Sequence, residues 1–347
     1  MGLPQIIINF KAAGTSAVQR STRGNAVIIL SGEGKGGVYT GLQQAADSGV
    51  EAFALRLLKL CFLGAPAKVT LIYTGDNTEA ALQQAARAGM GGWICAPGVE
   101  SAQLVTFIKT QRAAGKHLRA VVANAASPDC EGIVNFCTDG ITALLDTAPE
   151  SISTADYTCR IAGLLAGLSL SQSATYHPLS EVLSFTESQD PDADIDAGKL
   201  ILHNGSNGTR IARAVTSLVT AGSGGSMELQ KIKIAEGVDT ILRDIRDTFE
   251  QDYIGKVIND HDAKLLLVTA VNGYLAGLTG TVLDSAYTNE AFVDLAAQET
   301  YLQSRGIDTS SMSDTEILAA NTGSMVFLGA RVRFVDAMED LTFRISM

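Results

Sequence analysis

The sequence predicts an α/β fold, and three observations carry that expectation. Between residues 68 and 122, β-prone runs alternate with helical patterns. Such alternation favours a parallel sheet with right-handed crossovers. Hydrophobic residues make up 46% of the 347, enough for a large core and two or three domains. Both ends of the chain carry short runs of strand character, outside that alternation.

The elements follow in order. Gln5–Lys11 is a β-prone run containing Ile6, Ile7, Ile8 and Phe10, and a polar stretch continues to Asn25, so residues 1 to about 20 read as an extended arm. Asn25–Leu30 is a strand and leads into a glycine-rich loop. Lys68–Tyr73 is the next clear strand. Thr78 can cap a helix through Ala80, Leu82, Ala85 and Ala86, which Gly89 ends. Trp93–Cys95 is a strand. A helix carrying Leu104, Phe107 and Ile108 stops at Gly115, and Leu118–Val122 is a strand; Ile133–Cys137 is a further candidate. Ser153 and Asp156 have capping-box spacing and open a helix over 155–168. Gly163 and Gly167 share one face of it, which suits close packing on a neighbour. Lys199–His203 and Thr209–Arg213 read as a hairpin around 204–208, and Ala221–Ser226 as a linker.

Beyond the linker lies an amphipathic helix. Its expected buried stripe is Val238, Ile241, Leu242, Ile245 and Phe249, and its expected wet stripe Asp239, Arg243, Arg246 and Glu250. Another helix covers Asp260–Leu278. In the last 17 residues, Val332 and Phe334 alternate with Arg331 and Arg333, and Leu341, Phe343 and Ile345 alternate with Thr342 and Arg344. That period of two predicts two short strands with one apolar face each. Strands at both termini carry backbone groups that recruit another chain.

Composition narrows the function. A net charge of −11 opposes binding to a phosphate backbone. Leu265–Gly280 is short for a membrane span and contains Asn272, and Arg56 and Lys59 interrupt residues 52–65. The N-terminus lacks the pattern of a secretory signal, and Ile6 stands where a myristoylation motif needs Ser or Thr. Cys61, Cys95, Cys130, Cys137 and Cys159 show no Cys-x-x-Cys spacing and read as reduced thiols.

Few residues invite chemistry. Gly32-Glu33-Gly34-Lys35-Gly36-Gly37 fits Gly-x-Gly-x-x-Gly after a strand, with Glu51 near the distance of a ribose-binding acid. A cytosolic nucleotide- or dinucleotide-binding α/β enzyme using this loop is therefore the alternative function. Val38-Tyr39-Thr40-Gly41 opens a helix poorly, however, and the loop lacks a P-loop ending. Ser16, within Gly14-Thr15-Ser16-Ala17, lies in the arm without a base. His117, His177, His203 and His261 lack metal-ligand spacing. Asp76, Asn124 and Asp139 sit in loops after parallel strands, where ligands settle in open sheets but where polar turn residues are also common. No catalytic, cofactor-binding or metal-binding residues are expected.

Several separated blocks resemble the contractile tail sheath proteins of phages and phage-derived particles. They include Gly2-Leu3-Pro4 with the isoleucine run, Arg160–Gly167 with Ser173–Tyr176, and Arg210–Val215 with Ser217-Leu218. The most specific are Ile232–Ile234, Asp244–Phe249, Tyr253–Lys256 and Asp336–Asp340. The resemblance implies an arm over 1–20, a small β-rich domain over 21–78, a subtilisin-like α/β domain without a working triad over 79–226, and an α+β C-terminal domain over 227–347 with its terminal strand arm. It implies a structural subunit with no cofactor, stacked as hexameric rings around a tail tube and contracting by rearrangement. Partners would be other copies, the tail tube protein, and baseplate and tail terminator proteins, with no nucleic acid and no membrane. The particle would be assembled in the bacterial cytoplasm. Strand exchange would run through Ile6, Ile7, Ile8, Phe10, Val332, Phe334, Leu341, Phe343 and Ile345. Arg243 and Arg246 are candidate tube-facing cations.

Overall fold

A computed structural model of the chain describes Val18, residues 24–222 and residues 226–347. These form two compact units: 24–243 with 336–347, and 244–335. The expected N-terminal arm, and with it Ile6, Ile7, Ile8 and Phe10, lies outside the described residues.

The larger unit opens with β1 (Asn25–Leu30), buried along its whole length. β2 (Gly37–Tyr39), α1 (Leu42–Asp47), α2 (Ala52–Phe62), β3 (Lys68–Tyr73), α3 (Thr78–Ala88), β4 (Trp93–Cys95), α4 (Ser101–Ala113), β5 (Ala120–Ala123) and β6 (Ile133–Phe136) follow. Next come β7 (Ile141–Leu144), β8 (Pro149–Ile152), α5 (Thr154–Gly167), β9 (Val182–Ser184), α6 (Pro191–Asp196) and β10 (Lys199–Leu200). A hairpin of β11 (Leu202–Gly205) and β12 (Gly208–Ile211) completes the series, in register from Leu202 opposite Ile211 to Gly205 opposite Gly208.

The main sheet has the order β10-β6-β5-β4-β1-β3-β2, parallel except for the β2–β3 pair. β1 shows why its sequence from Ala26 onward is uninterrupted by polar residues: Ala26, Ile28 and Leu30 pack with α2 and α5, while Val27 and Ile29 pack with α3 and α4. A strand covered on both faces needs apolar residues at every position. The boundary expected at residue 78 cuts through this one sheet. β1 and β3 belong beside β4, so residues 25–73 are not a separate β-rich domain. The sequence between β1 and β3 offered no sign of which strand they pair with.

Local signals act largely as read. The side chain of Asn77, one residue before Thr78, accepts a bond from Ala80 N at 2.9 Å and caps α3. Ser153 accepts from Asp156 N at 3.1 Å and caps α5. α5 lies against α2 at backbone distance: a Cβ on Gly163 would stand 2.0 Å from the Cys61 carbonyl oxygen, and one on Gly167 1.9 Å from that of Gly64. A short three-stranded sheet, β8-β7-β9, flanks this core.

α7 (Ile232–Thr248) runs on into a π-helical turn, Phe249–Tyr253. Its two stripes are not disposed as the sequence suggested. Asp239 and Arg243 are buried, whereas Leu242 is 44% exposed. Periodicity identifies an amphipathic helix but not which face finds a partner. Here Arg112, His117 and Arg119 of the larger unit supply one for the acids. The Asp239–Arg243 spacing is therefore not a solvated surface pair.

In the smaller unit, α8 (His261–Leu278) is capped by Asp260, whose side chain accepts from Ala263 N at 2.8 Å. β13 (Glu290–Val293), α9 (Leu295–Ser304), α10 (Asp314–Ala319) and β14 (Leu328–Arg331) follow. Leu267, Val271, Leu275, Leu278, Leu283, Leu302 and Ile317 are buried there. β13 and β14 form a two-stranded antiparallel sheet with Ala291 opposite Ala330. No helix among the described residues is long and apolar enough to cross a membrane.

Candidate functional site

The C-terminal segment and the surfaces that root it form the candidate site. Three blocks far apart in sequence meet in the larger unit. Lys231 pairs with Asp336. Arg213 donates to Asp340 at 2.7 Å and lies 3.5 Å from Glu339. Ser173 Oγ donates to Glu339 at 2.9 Å. Glu339 is the most covered of the three acids, so its bonds are less screened than those of Asp340, whose side chain is 79% exposed. Burial pulls the Lys233 ammonium below its ordinary value, and Asp336 and Glu339 work against that pull. The acidic stretch 336–340 is thus held by cations from the stretch after β12 and from the start of α7.

Beyond Asp340 the chain has no strand partner among the described residues. Leu341, Phe343 and Ile345 are 90, 77 and 76% exposed. The expected strand over 341–345 is not formed in the single chain. The first terminal run differs. Val332 and Phe334 are half-buried and Arg331 and Arg333 exposed, with the expected alternation, but β14 ends at Arg331 and Phe334 makes only an isolated bridge with Leu283. The two guanidiniums lie over aromatic rings, Arg331 over Phe292 at 4.8 Å and Arg333 over Tyr287 at 4.4 Å.

The edges of the β13–β14 sheet are not equivalent. Asn272 of α8 donates to Ala291 O at 3.2 Å and accepts from Ala291 N at 2.6 Å. That side chain takes both backbone groups of the residue at the outer edge of β13. Antiparallel alternation then turns the N–H and C=O of Ala330 and Leu328 outward on β14. Among the described residues these groups have no hydrogen-bond partner.

The other sequence candidates separate from this site. Arg243 is buried next to Gly91, where an added Cβ would meet its guanidinium at 2.7 Å; Arg246 is exposed. Arg243 is therefore not on an open face. The glycine loop leads into β2, antiparallel to β3, and does not open a helix as the dinucleotide fingerprint requires. Its glycines have packing reasons: a Cβ on Gly34 would strike the Tyr73 ring at 2.2 Å, and one on Gly36 the Leu71 carbonyl oxygen at 2.7 Å. Asn124 and Asp139 bond each other at 3.1 Å, and Thr154 bonds Asp139. The cavity beside the ends of β4 and β5, lined by Ala96, Pro97 and Ser101, is about 20 Å³, room for one water at most. The described residues contain no His/Cys/Asp/Glu group arranged for a metal.

Sequence reasoning missed the ion-pair cluster under α7. Arg112 grips Asp239 with two bonds, at 2.8 and 2.9 Å, and Glu131 at 2.8 Å; His117 Nδ1 stands 3.3 Å from Asp239, and Arg119 pairs with Glu236 at 2.8 Å. Burial pushes the Asp239 carboxyl up, but the bonds from His117 and Arg112 and the nearby guanidinium charges outweigh it and hold it below the ordinary value. The readable signal was Glu236 and Asp239 sharing one helix face with Arg243.

Similar proteins decide the family. The chain is 34% identical, over 364 aligned positions, to the tail sheath protein of Clostridium phage phiCD119, covering all of this chain and 99% of that one. The chain belongs to the tail sheath proteins. No protein-family model matches it. Its α/β fold is that of sheath proteins. The sheath of the PVC extracellular contractile injection system in its contracted state superposes with a TM-score of 0.70 at 14% identity, covering 100% of this chain and 98% of that one. The contracted helical sheath of the anti-feeding prophage gives 0.69 at 13%, covering 100% and 99%. The sheath tail protein of Desulfitobacterium hafniense gives 0.65 at 16%, covering 84% and 94%.

Proposed function

We propose that this sheath protein polymerises as stacked hexameric rings around a tail tube and contracts by rearrangement of its folded units, with terminal strands exchanged between neighbours. One observation carries the reading: the C-terminal segment presents Leu341, Phe343 and Ile345 to solvent on one face, while β14 offers an open backbone edge. Each group lacks what the other has. A strand of this length would make about four backbone hydrogen bonds worth about 1 kcal/mol each, plus apolar burial. Head-to-tail contacts that do not close generate helical assemblies. The N-terminal run Ile6–Phe10 has the same composition and is assigned the same role.

The subunit acts mechanically and not as an enzyme; contraction draws on new subunit contacts. The mostly parallel sheet supports a subtilisin-like layout without a working triad, and the smaller unit with its terminal arm corresponds to the C-terminal sheath domain. Arg246 is the cation left to face the tube. Assembly takes place in the bacterial cytoplasm, with baseplate and tail terminator proteins at the ends of the polymer. Deleting 337–347, or residues 1–20, leaves a soluble subunit that forms neither rings nor tubes in negative-stain images. Rings or tubes at normal yield from either deletion would refute strand exchange.

A further inference from the structure

We propose that Asp340 of one copy lies opposite Arg333 of the copy that receives its strand, and that this ion pair sets the direction and register of the exchange. The proposal rests on the strand exchange above and adds to it the residues that decide how the strand docks.

The open edge runs beyond β14. Arg333 O accepts from Asp284 N at 2.8 Å, and Arg333 N donates to Asn289 Oδ1 at 2.9 Å, so both its backbone groups are taken within the smaller unit. By alternation the groups of Val332 turn outward, in line with those of Ala330 and Leu328. The side chains divide in the same way. Leu328, Ala330 and Val332 give the edge one apolar face, and Arg331 and Arg333 stand on the other. Both guanidiniums are well exposed, and Arg333 reaches an acid, Asp284, only at 3.8 Å.

The incoming segment divides to match. When it is extended, Leu341, Phe343 and Ile345 share one face and Asp340, Thr342 and Arg344 the other. Asp340 is held to Arg213 through Oδ1; its Oδ2 has no bond among the described residues, and the side chain is largely exposed. A carboxylate with one oxygen open to solvent can accept a second guanidinium.

Charge then selects one arrangement. A parallel strand held within 328–334 would set Asp340 opposite 327–329, which carry no charge. An antiparallel strand with Phe343 opposite Val332 would set Arg344 directly against Arg331. With Phe343 opposite Leu328, Asp340 would meet Arg331, which already faces Glu290 across the sheet, and Ile345 would run past the start of β14. With Phe343 opposite Ala330, Leu341 and Ile345 fall opposite Val332 and Leu328, Asp340 opposite Arg333, and Arg344 opposite Gly329. Only this register joins a full apolar face to a pair of opposite charges not already matched across the sheet. Asp340 and Arg333 then form a non-hydrogen-bonded pair, the kind whose side chains approach most closely.

The test co-assembles full-length copies carrying Asp340→Cys with full-length copies carrying Arg333→Cys and oxidises the particles with copper phenanthroline. Covalent dimers form at least about tenfold more than with Arg331→Cys in place of Arg333→Cys, because only directly opposite residues have the geometry of a disulfide. A second measurement needs no assembly. The acetylated and amidated peptide Ala-Met-Glu-Asp-Leu-Thr-Phe-Arg-Ile binds the full-length subunit about two- to fivefold more tightly, by fluorescence anisotropy, than the same peptide with Asp340→Asn. Arg333→Met in the subunit removes that difference, and Arg333→Lys keeps it. If the cysteine variants do not assemble, the peptide comparison decides. Cross-linking at 340–331 in excess of 340–333, or equal binding of the two peptides, overturns the register and leaves strand exchange standing. Absence of both cross-links from assembled particles, or of peptide binding, also overturns it. Those absences, together with a 337–347 deletion that still polymerises, remove strand exchange as well.

Discussion

Replacing Arg112 should reveal how strongly the larger unit depends on its interior ions. Arg112 uses its whole guanidinium: Nη1 and Nη2 on Asp239, Nε and Nη2 on Glu131, and Nη1 also on the Leu118 carbonyl at 3.1 Å. Asp239 is almost completely enclosed. Arg112→Met leaves that carboxylate with the His117 ring, Nδ1 at 3.3 Å, as its nearest remaining polar partner, and breaking a buried pair from one side costs about 3–5 kcal/mol. Replacing both members by apolar residues, Arg112→Met with Asp239→Leu, recovers most of the loss, since no uncompensated charge remains. The assay is urea unfolding followed through Trp93. It is the sole tryptophan, it is buried, and it stacks with Arg119 at 5.0 Å, so it reports on this unit. With an m value of about 3 kcal/mol/M, the single substitution lowers the midpoint by about 1 to 1.7 M. Acid provides a second readout. The folded carboxyl of Asp239 is depressed, so its contribution is complete above the unfolded value of about 3.9 and fades as pH falls through the lower folded value. The double variant lacks that part of the acid limb. A midpoint shift below about 0.3 M for Arg112→Met, or a double variant as unstable as the summed singles, would refute the reasoning.

Lys231→Ala with Arg213→Ala should release the chain beyond Val335, seen as faster limited proteolysis there, with little change in unfolding midpoint because such partly exposed pairs contribute about 1 kcal/mol or less. In the native protein the thiols should resist iodoacetamide at pH 8 and react on unfolding. Burial pushes Cys61 and Cys159 well up, and Cys137, only half-buried, is pushed up to about 11. Gly163→Ala should lower stability by about 1–3 kcal/mol by forcing α5 off α2, measured by calorimetry. Phe343→Asp should leave the thermal midpoint of the isolated subunit unchanged while preventing tube formation.

How much of this was legible depends on where each residue's partner lies. β1 and β3 have the bounds read for them because a strand buried on both faces has no polar interruption to blur its ends. Gly163 and Gly167 announced a close contact by their spacing, though not that Cys61 and Gly64 provide it. α7 reads as amphipathic, and Ile241 is buried and Arg246 and Glu250 exposed as expected, but Asp239 and Arg243 are buried and Leu242 is exposed against the expectation. Charge pattern alone cannot foresee Arg112 and His117, more than a hundred residues earlier in the chain, meeting Asp239. The terminal alternation is plain, yet Leu341, Phe343 and Ile345 stand exposed and form no strand in one chain, so the pattern alone does not say what it pairs with.

The distribution of contacts suggests why such a subunit can move without unfolding. The interior of the larger unit is held by apolar layers on both faces of one sheet and by ions whose partners are all internal. Nothing in that interior is used by the segment after Asp340, and that segment contributes nothing to it. Stability and connectivity therefore reside in different residues. Under the proposed strand exchange, a neighbour that holds Leu341, Phe343 and Ile345 would load first the cations that root the chain at 336–340, whose bonds are partly exposed and reform easily. On that proposal the root would serve as the hinge, and a sleeve of such subunits would change its pitch by turning whole units about their tethers while the exchanged strands stay paired.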